Sequence, residues 1–289
     1  MSAVPTFTAV LSLLLALASW TSATSRAALP NSPGTVKFAV LGDSGTGDAA
    51  QYRVADQMVR LRQQFPFDLV LMVGDNFLGS QRPSDLVQKF ERPYKSLLDA
   101  GVRFQAALGN HDEPGSVNYS PLNMGGERYY SFVRGHVRFV VLDTNSFDAR
   151  QLQWVERTLR ESRELWKISY FHHPLYSSGR RHGAAVDIRV RLEPLLMKYG
   201  VSVVFSGHDH VYERLRPQNG ITYFVCGSAG KLRKGDLVRS DMTAAGFDQD
   251  NAFTVVEVGI DDLHFETITR TGATVDAGII RRSAVRIGT

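Results

Sequence analysis

The sequence predicts an α/β protein built of two packed β-sheets with helices outside. Three observations carry this. Short apolar runs rich in β-branched and aromatic residues alternate with amphipathic helical stretches. The C-terminal part is a succession of strand-like runs joined by turn residues. Several apolar runs end abruptly in polar residues, the arrangement expected where a site collects at the carboxyl ends of the strands of an α/β sheet.

The elements follow in order. TVKFAVLGD is a strand that runs out at Asp43, and AAQYRVADQMVRLRQQF is a helix with Val54, Met58 and Leu61 on one face. DLVLMVGD is the next strand and delivers Asp75. SDLVQKFERPYKSLLDA reads as a helix kinked at Pro93, because proline removes a helix donor and crowds the preceding turn. VRFQAALGNHD is a third strand and RYYSFVRGHVRFVVLDTN an antiparallel hairpin. ARQLQWVERTLRES is a helix opened by Asp148, with Gln151 three positions on as the other half of a capping box. ELWKISYFHHP and VSVVFSGHDH are strands on either side of the helix VRLEPLLMKY. ITYFVCGS, NAFTVVEVGI and DLHFETITR read as successive antiparallel strands.

The chain has 289 residues, 43% of them apolar, which is enough for a large core. At its start, MSAVPTFTAVLSLLLALASWTSATSRA carries an apolar run from Val10 to Leu17 and then small residues. This reads as a secretory signal peptide over residues 1–27, with cleavage near Ala23 or Ala27. No Lys or Arg precedes the run, and it is short for a bilayer span. An uncleaved anchor or a disordered tail is the alternative. Residues 28–289 are then expected to form a single domain, secreted or otherwise extracytoplasmic, with no membrane anchor once the signal is removed. The formal charge of +4 is not gathered on one element, which speaks against a nucleic-acid partner and suits small anionic substrates. The single cysteine, Cys226, excludes an internal disulfide. It reads as a small buried hydrophobe, with a reactive or metal-binding thiol as the alternative.

Taken singly, the polar strand ends say little. An Asp after a strand is ordinarily a turn residue or a helix cap, and His172 with His173 could be a satisfied buried pair. Together they say more. Of eight histidines, four lie in HHP and HDH and a fifth, His111, in GNHD. In GHDH alternate side chains point the same way, so His208 and His210 can face one metal cluster while Asp209 points away. Carboxylate, amide and imidazole donors mixed in this way suit ions such as zinc, manganese and iron. Asp75 has two oxygens and is the natural bridge between two cations; a metal pair about 3.5–4 Å apart suits in-line displacement at phosphorus.

The ordered motifs GDSG, GDNFL, GNHD, FHHP and GHDH resemble the signature of the calcineurin-like metallophosphoesterases, and most nearly the purple acid phosphatases of the small tartrate-resistant type. The likeness runs from about Val36 into the C-terminal strands and includes the LDT after the hairpin. It implies a four-layer αββα sandwich of two mixed sheets flanked by helices, with two metal ions between the sheet ends. By position, Asp43, Asp75 and His210 would hold the first metal, and Asp75, Asn110, His172 and His208 the second. His172 rather than His173 is implied by the family's spacing to Pro174. His111 is implied as the acid or transition-state stabiliser. Asp112 would orient it, or else serve as a turn-forming carboxylate. His182 stands where some purple acid phosphatases carry a further histidine outside the metal shell. Arg180 and Arg181 beside it are candidates for substrate phosphate, or a solvated basic loop. Lys231, Arg233 and Lys234 read as a solvated run. Specificity is expected to sit in the loops 113–126 and 179–185.

Two departures stand out. The purple enzymes carry a metal-binding tyrosine two residues past the Asn of this motif, where this chain has Leu78. Other superfamily members place a histidine two residues past the first Asp, where this chain has Gly45. The first site is left with three recognisable protein ligands. The expected cofactors are therefore two divalent ions, zinc, manganese or iron, with ferric iron disfavoured and no purple colour. The implied activity is hydrolysis of small phosphomonoesters with a metal-bound hydroxide as nucleophile. A phosphodiesterase or nucleotidase of the same superfamily is the alternative, and a non-catalytic metal- or phosphate-binding protein the further one. Ser44 follows Asp43 without a nucleophile elbow or a paired base, which argues against a covalent route.

Overall fold

The computed structural model describes Met1 and residues 29–282, so the expected signal peptide lies, but for its first residue, outside the described residues. Three strands, β1 (Val36–Leu41), β2 (Leu69–Met72) and β3 (Arg103–Ala106), pair in parallel. All four residues of β2 are buried, as a parallel strand covered on both faces requires. The helix between β1 and β2, α1 (Ala49–Arg62), is capped by Asp48, whose carboxylate accepts the backbone N–H groups of Ala50 and Gln51. Its Val54 and Met58 are buried and Leu61 packs at the margin, the face the sequence predicts.

The expected helix with a kink at Pro93 is broken instead. Short α2 (Pro83–Leu86) runs into a π turn at Val87–Glu91, Pro93 falls in the following turn, and α3 (Lys95–Asp99) begins afresh. Beyond β3 come the hairpin β4 (Tyr130–Arg134) and β5 (Val137–Val141), α4 (Ala149–Glu161), β6 (Trp166–Tyr170), α5 (Val186–Lys198) and β7 (Val203–Ser206). The remaining strands are β8 (Tyr212–Leu215), β9 (Thr222–Cys226), β10 (Thr243–Phe247), β11 (Ala252–Val258), β12 (Asp262–Thr269) and β13 (Thr274–Arg281).

The strands form a six-stranded sheet, β13-β12-β11-β1-β2-β3, and a seven-stranded sheet, β10-β8-β9-β7-β6-β5-β4. Both are mixed. The first is parallel from β1 to β3 and the second from β5 through β6 and β7 to β9. Strand alternation divides their side chains between two faces. Phe38, Val40, Leu69 and Leu71 meet Phe139, Ile168, Val203 and Phe224 between the sheets. On the first sheet's other face, Ala39, Leu41, Val70 and Met72 pack with Val54 and Met58 of α1. On the second sheet's outer face, Val140, Val204 and Val225 pack with Val155 and Leu159 of α4 and Leu192 and Leu196 of α5. The result is the predicted αββα sandwich. Burying each such side chain contributes roughly 1.5–3 kcal/mol, so three apolar layers hold the sheet ends rigidly in register.

The C-terminal order departs from expectation. β9 is not the antiparallel neighbour of β11 but lies in the other sheet, parallel to β7 and antiparallel to β8. The short, half-polar β8 and β10, and the longer β13, which follows a turn without an apolar block, do not stand out as separate runs in the sequence. No helix among the described residues is long and apolar enough to cross a membrane.

Candidate metal centre

The loops that follow β1, β2, β3, β6 and β7 meet at one rim. Four of them bring their polar residue after a glycine, His172 after Phe171 being the exception, and at two positions the reason is spatial. Gly74 has φ +97°, and a Cβ there would strike the His172 ring. A Cβ on Gly109 would run into the backbone nitrogen and carboxylate of Asp75. The turns are tight enough to force three non-glycine residues into the left-handed region: Asp43 (φ 52°), Asp75 (φ 51°) and His208 (φ 71°). Such backbone is costly for side-chain-bearing residues and persists where surrounding structure holds it, characteristically at functional sites.

Asp43, Asp75 and His210 form one group, each offering a ligand atom within 4.8 Å of the others, and all three are buried. His210 Nε2 lies 3.3 Å from Asp43 Oδ1, yet that oxygen has no hydrogen-bond partner, nor has His210 Nδ1. Asp43 Oδ2 accepts the backbone N–H of His208 at 2.9 Å, tying the two sheets' rims together. Burial pushes both carboxyls up, and the charge of Asp75 pushes Asp43 further. Two buried acids side by side repel when both are ionised, and a proton or a cation between them relieves it.

The second group converges on His172 Nε2. Asn110 Oδ1 is 2.9 Å from it, His208 Nδ1 3.2 Å and Asp75 Oδ1 3.4 Å. The other ring nitrogen, Nδ1, lies 3.1 Å from the carbonyl of Val73 and must carry the proton to bond it. Nε2 then turns a bare lone pair toward two oxygens, an arrangement that repels itself unless a cation sits among them. The histidines are held neutral, the form that ligates. Burial pushes His208 down to about 2, with His172 next to it adding to the effect. Burial and then the Arg233 charge push His210 down to about 3. The donors therefore fit a two-metal centre, with Asp75 common to both groups.

His111 and Asp112 stand beside Asn110 but do different things. The His111 ring is 56% exposed, its Nε2 is 4.0 Å from Asp75 Oδ2, and its backbone N–H donates to Asp75 Oδ1 at 2.9 Å. Asp112 makes no hydrogen bond to that ring. Its Oδ2 accepts the Asn76 side chain (2.7 Å), the Gly109 N–H (2.8 Å) and the Asn76 N–H (3.2 Å), and its Oδ1 accepts the Phe77 N–H (2.9 Å). Burial nonetheless pushes its carboxyl up to about 7. Asp112 is thus a clamp on the loop that carries Asp75. His182 lies in an exposed loop with its ring 4.2 Å from that of His208. Arg180 and Arg181, also exposed, line an open depression beside it.

Residues 36–212, more than half of the chain, match the calcineurin-like phosphoesterase family. The chain belongs to that family. It is a metal-dependent phosphoesterase. Among related proteins, purple acid phosphatase 17 of Arabidopsis thaliana is 27% identical over 243 residues, covering 71% of this chain and 72% of the relative. Tartrate-resistant acid phosphatase type 5 of Oryctolagus cuniculus is 27% identical over 237 residues, covering 67% and 73%. The solved purple acid phosphatase PPD1 from yellow lupin (Lupinus luteus) shares the fold, with TM-score 0.70 and 19% identity over 88% of this chain and 55% of that one.

The structure also explains the two departures of this phosphoesterase. At Gly45 a Cβ would collide with the Asn76 backbone, so no side chain can reach the first group from there without moving the loop. Leu78 is half-buried, its N–H bonded to Gly45 O at 2.9 Å and its carbonyl to Lys89 Nζ at 2.6 Å.

Several contributors escape sequence reasoning. Gln151 does not close a capping box on Asp148. Its amide bonds both the N–H and the carbonyl of Asp143 (2.9 and 2.8 Å), fixing the LDT loop. Within that loop Thr144 Oγ1 meets His173 Nδ1 at 2.9 Å, which turns His173 away from the second group and over His208. Arg128 pairs with buried Asp143 at 3.0 Å, and both line a cavity of about 610 Å³ with Asn110 and His173. Asp209 belongs to neither donor group; it accepts the Ser177 hydroxyl (2.5 Å) and the Gly183 N–H (3.2 Å), anchoring the loop that carries His182. Cys226 is buried and burial pushes its thiol up to about 12, which leaves it the small hydrophobe.

Proposed function

We propose that this phosphoesterase hydrolyses small phosphomonoesters at a centre of two divalent ions. Asp43, Asp75 and His210 would hold the first ion, and Asp75, Asn110, His172 and His208 the second. The observation that carries the proposal is the position of Asp75, whose buried carboxylate belongs to both donor groups. Bound there, two such cations would lower the pKa of water toward about 7 and offset charge on the phosphoryl oxygens. The chain's own residues do the rest. The exposed His111 ring stands on the open side of Asp75 and donates a proton to the leaving oxygen. Asp112 keeps Asn76 and Phe77 from moving, so Asp75 stays in place. Arg180 and Arg181 meet substrate oxygens from the loop that also presents His182.

Leu78 supplies no phenolate, so the first ion has fewer anionic ligands and the ferric state loses its strongest stabiliser. The acid phosphatases among the relatives and the apolar N-terminal run together support an exported acid phosphatase. Comparing turnover of an aryl phosphate with that of the matching diaryl ester tests the substrate class. Preference for the monoester is expected, and preference for the diester would replace this reading with a phosphodiesterase.

A further inference from the structure

The run Lys231, Arg233 and Lys234 reads in sequence as solvated, but the fold gives it another place. The loop after β6 and the segment after β9 are joined by an antiparallel bridge between Gly179 and Leu237. The Arg180 N–H donates to the Asp236 carbonyl (2.8 Å), and the Val238 N–H to the Ser178 carbonyl (3.0 Å). This joining gathers Arg180, Arg181, Arg233 and Lys234 around one open depression of about 480 Å³, with Asp236 its single acid. The depression adjoins the metal centre. The Lys231 N–H donates to the Asp43 carbonyl (2.8 Å), the Arg233 N–H to the His210 carbonyl (3.0 Å), and His182 follows Arg181 directly.

Among the described residues none of the four cations is in an ion pair. Arg233 Nη1 is shut off from solvent without a partner, and Asp236 Oδ2 is unpartnered as well, so the acid does not neutralise the guanidinium. A buried donor left unmade is costly, and like charges gathered in one basin repel. Both costs fall when an anion with several oxygens enters, and guanidinium forks suit phosphate oxygens. A single phosphate held over Asp75 does not need four more cations; a second phosphate on the same molecule does.

We propose that Arg233 and Lys234, with Arg180 and Arg181, form a second phosphate subsite, so that the preferred substrates are small molecules carrying two phosphate groups. This rests on the phosphatase reading above and narrows it. The chemistry is unchanged. Water's oxygen bonds to the phosphorus over Asp75, the P–O bond to the leaving group breaks with its electron pair, and the proton given up by water balances the one the leaving oxygen receives. The other phosphate stays intact in the basin.

The test compares kcat/KM for a nucleoside diphosphate and its monophosphate, and for a hexose bisphosphate and its monophosphate, in the wild type and in the R233Q/K234Q double variant. The wild type is expected to favour the two-phosphate member of at least one pair, and the pair that shows it tells adjacent phosphates from separated ones. In the variant that preference falls about tenfold, mostly through KM. A wild type without the preference, or a variant that retains it, overturns the subsite. Calorimetry on the metal-loaded full chain gives a readout free of turnover: methylenediphosphonate should bind more tightly than methylphosphonate, and the variant should lose that margin. An intact margin in a chain that hydrolyses no phosphate ester would leave the subsite standing and overturn the phosphatase reading; an absent margin in an active enzyme would do the reverse.

Discussion

His210 Nε2 stands 3.3 Å from Asp43 Oδ1, and the two atoms do not hydrogen-bond. The two atoms face each other in a buried place without a shared hydrogen bond, and Asp75 lies beside them. Without metal the price of this arrangement is lost stability. Burial raises the Asp43 and Asp75 carboxyls above their usual range, so the folded chain holds those protons more tightly than the unfolded chain. Their contribution is favourable at low pH and is lost as pH rises from the ordinary carboxylate value through the raised one. In chelator at neutral pH, Asp43→Asn should therefore raise Tm by ~2–4 °C, the shift that about 1 kcal/mol gives a domain of this size. With zinc or manganese present the order should reverse. Thermal unfolding under both conditions checks this; a variant less stable than wild type in chelator would contradict it.

His111 separates catalysis from binding. Its ring is exposed and reaches Asp75 Oδ2 only at 4.0 Å, so it is not needed to hold metal. His111→Asn should keep the metal content and lower kcat on an aryl phosphate by about 10²-fold, the usual contribution of a proton donor. Loss of metal together with activity would show that the ring is a ligand.

Asp112 should behave as a stability residue. Its four hydrogen bonds all go to Asn76, Phe77 and Gly109. Asp112→Asn replaces one acceptor oxygen with a donor facing donors, at a cost of about 2–4 kcal/mol. Denaturant unfolding should show that loss, with metal affinity falling as the Asp75 loop loosens. A variant of normal stability but low kcat would restore the role of orienting His111.

Leu78 and Gly45 predict colour and metal order. Neither position can supply a ligand to the first group, since leucine has no donor atom and a side chain at Gly45 would strike the Asn76 backbone. The iron-loaded protein should show no intense visible band, and chelator should remove one metal well before the other. A strong band of the phenolate-to-iron kind would mean that another tyrosine reaches the metal.

How much of this was legible in the sequence depends on the kind of signal. The residues of the two donor groups were legible as a cluster because each follows an apolar strand whose parallel pairing puts its carboxyl end at a common rim. Asp43, Asp75 and His210 lie 32 and 135 residues apart in successive steps along the chain, yet they come within 4.8 Å. Asp112 was legible only as an open choice: its bonds to Gly109, Asn76 and Phe77 fit the turn-forming carboxylate, while His111, its neighbour in sequence, is not its partner in space. Gln151 fits a capping box by spacing, but Asp143 competes successfully for its amide. Arg233 looked like part of a surface run because the bridge from Gly179 to Leu237 joins segments whose pairing no local pattern announces.

The central claim is that Asp75 is shared by two metals, and metal analysis of purified Asp75→Asn beside the wild type tests it most directly. Two metal ions per wild-type chain are expected, and the variant should lose one or both together with its phosphatase activity. A variant that keeps both ions and its activity would contradict it.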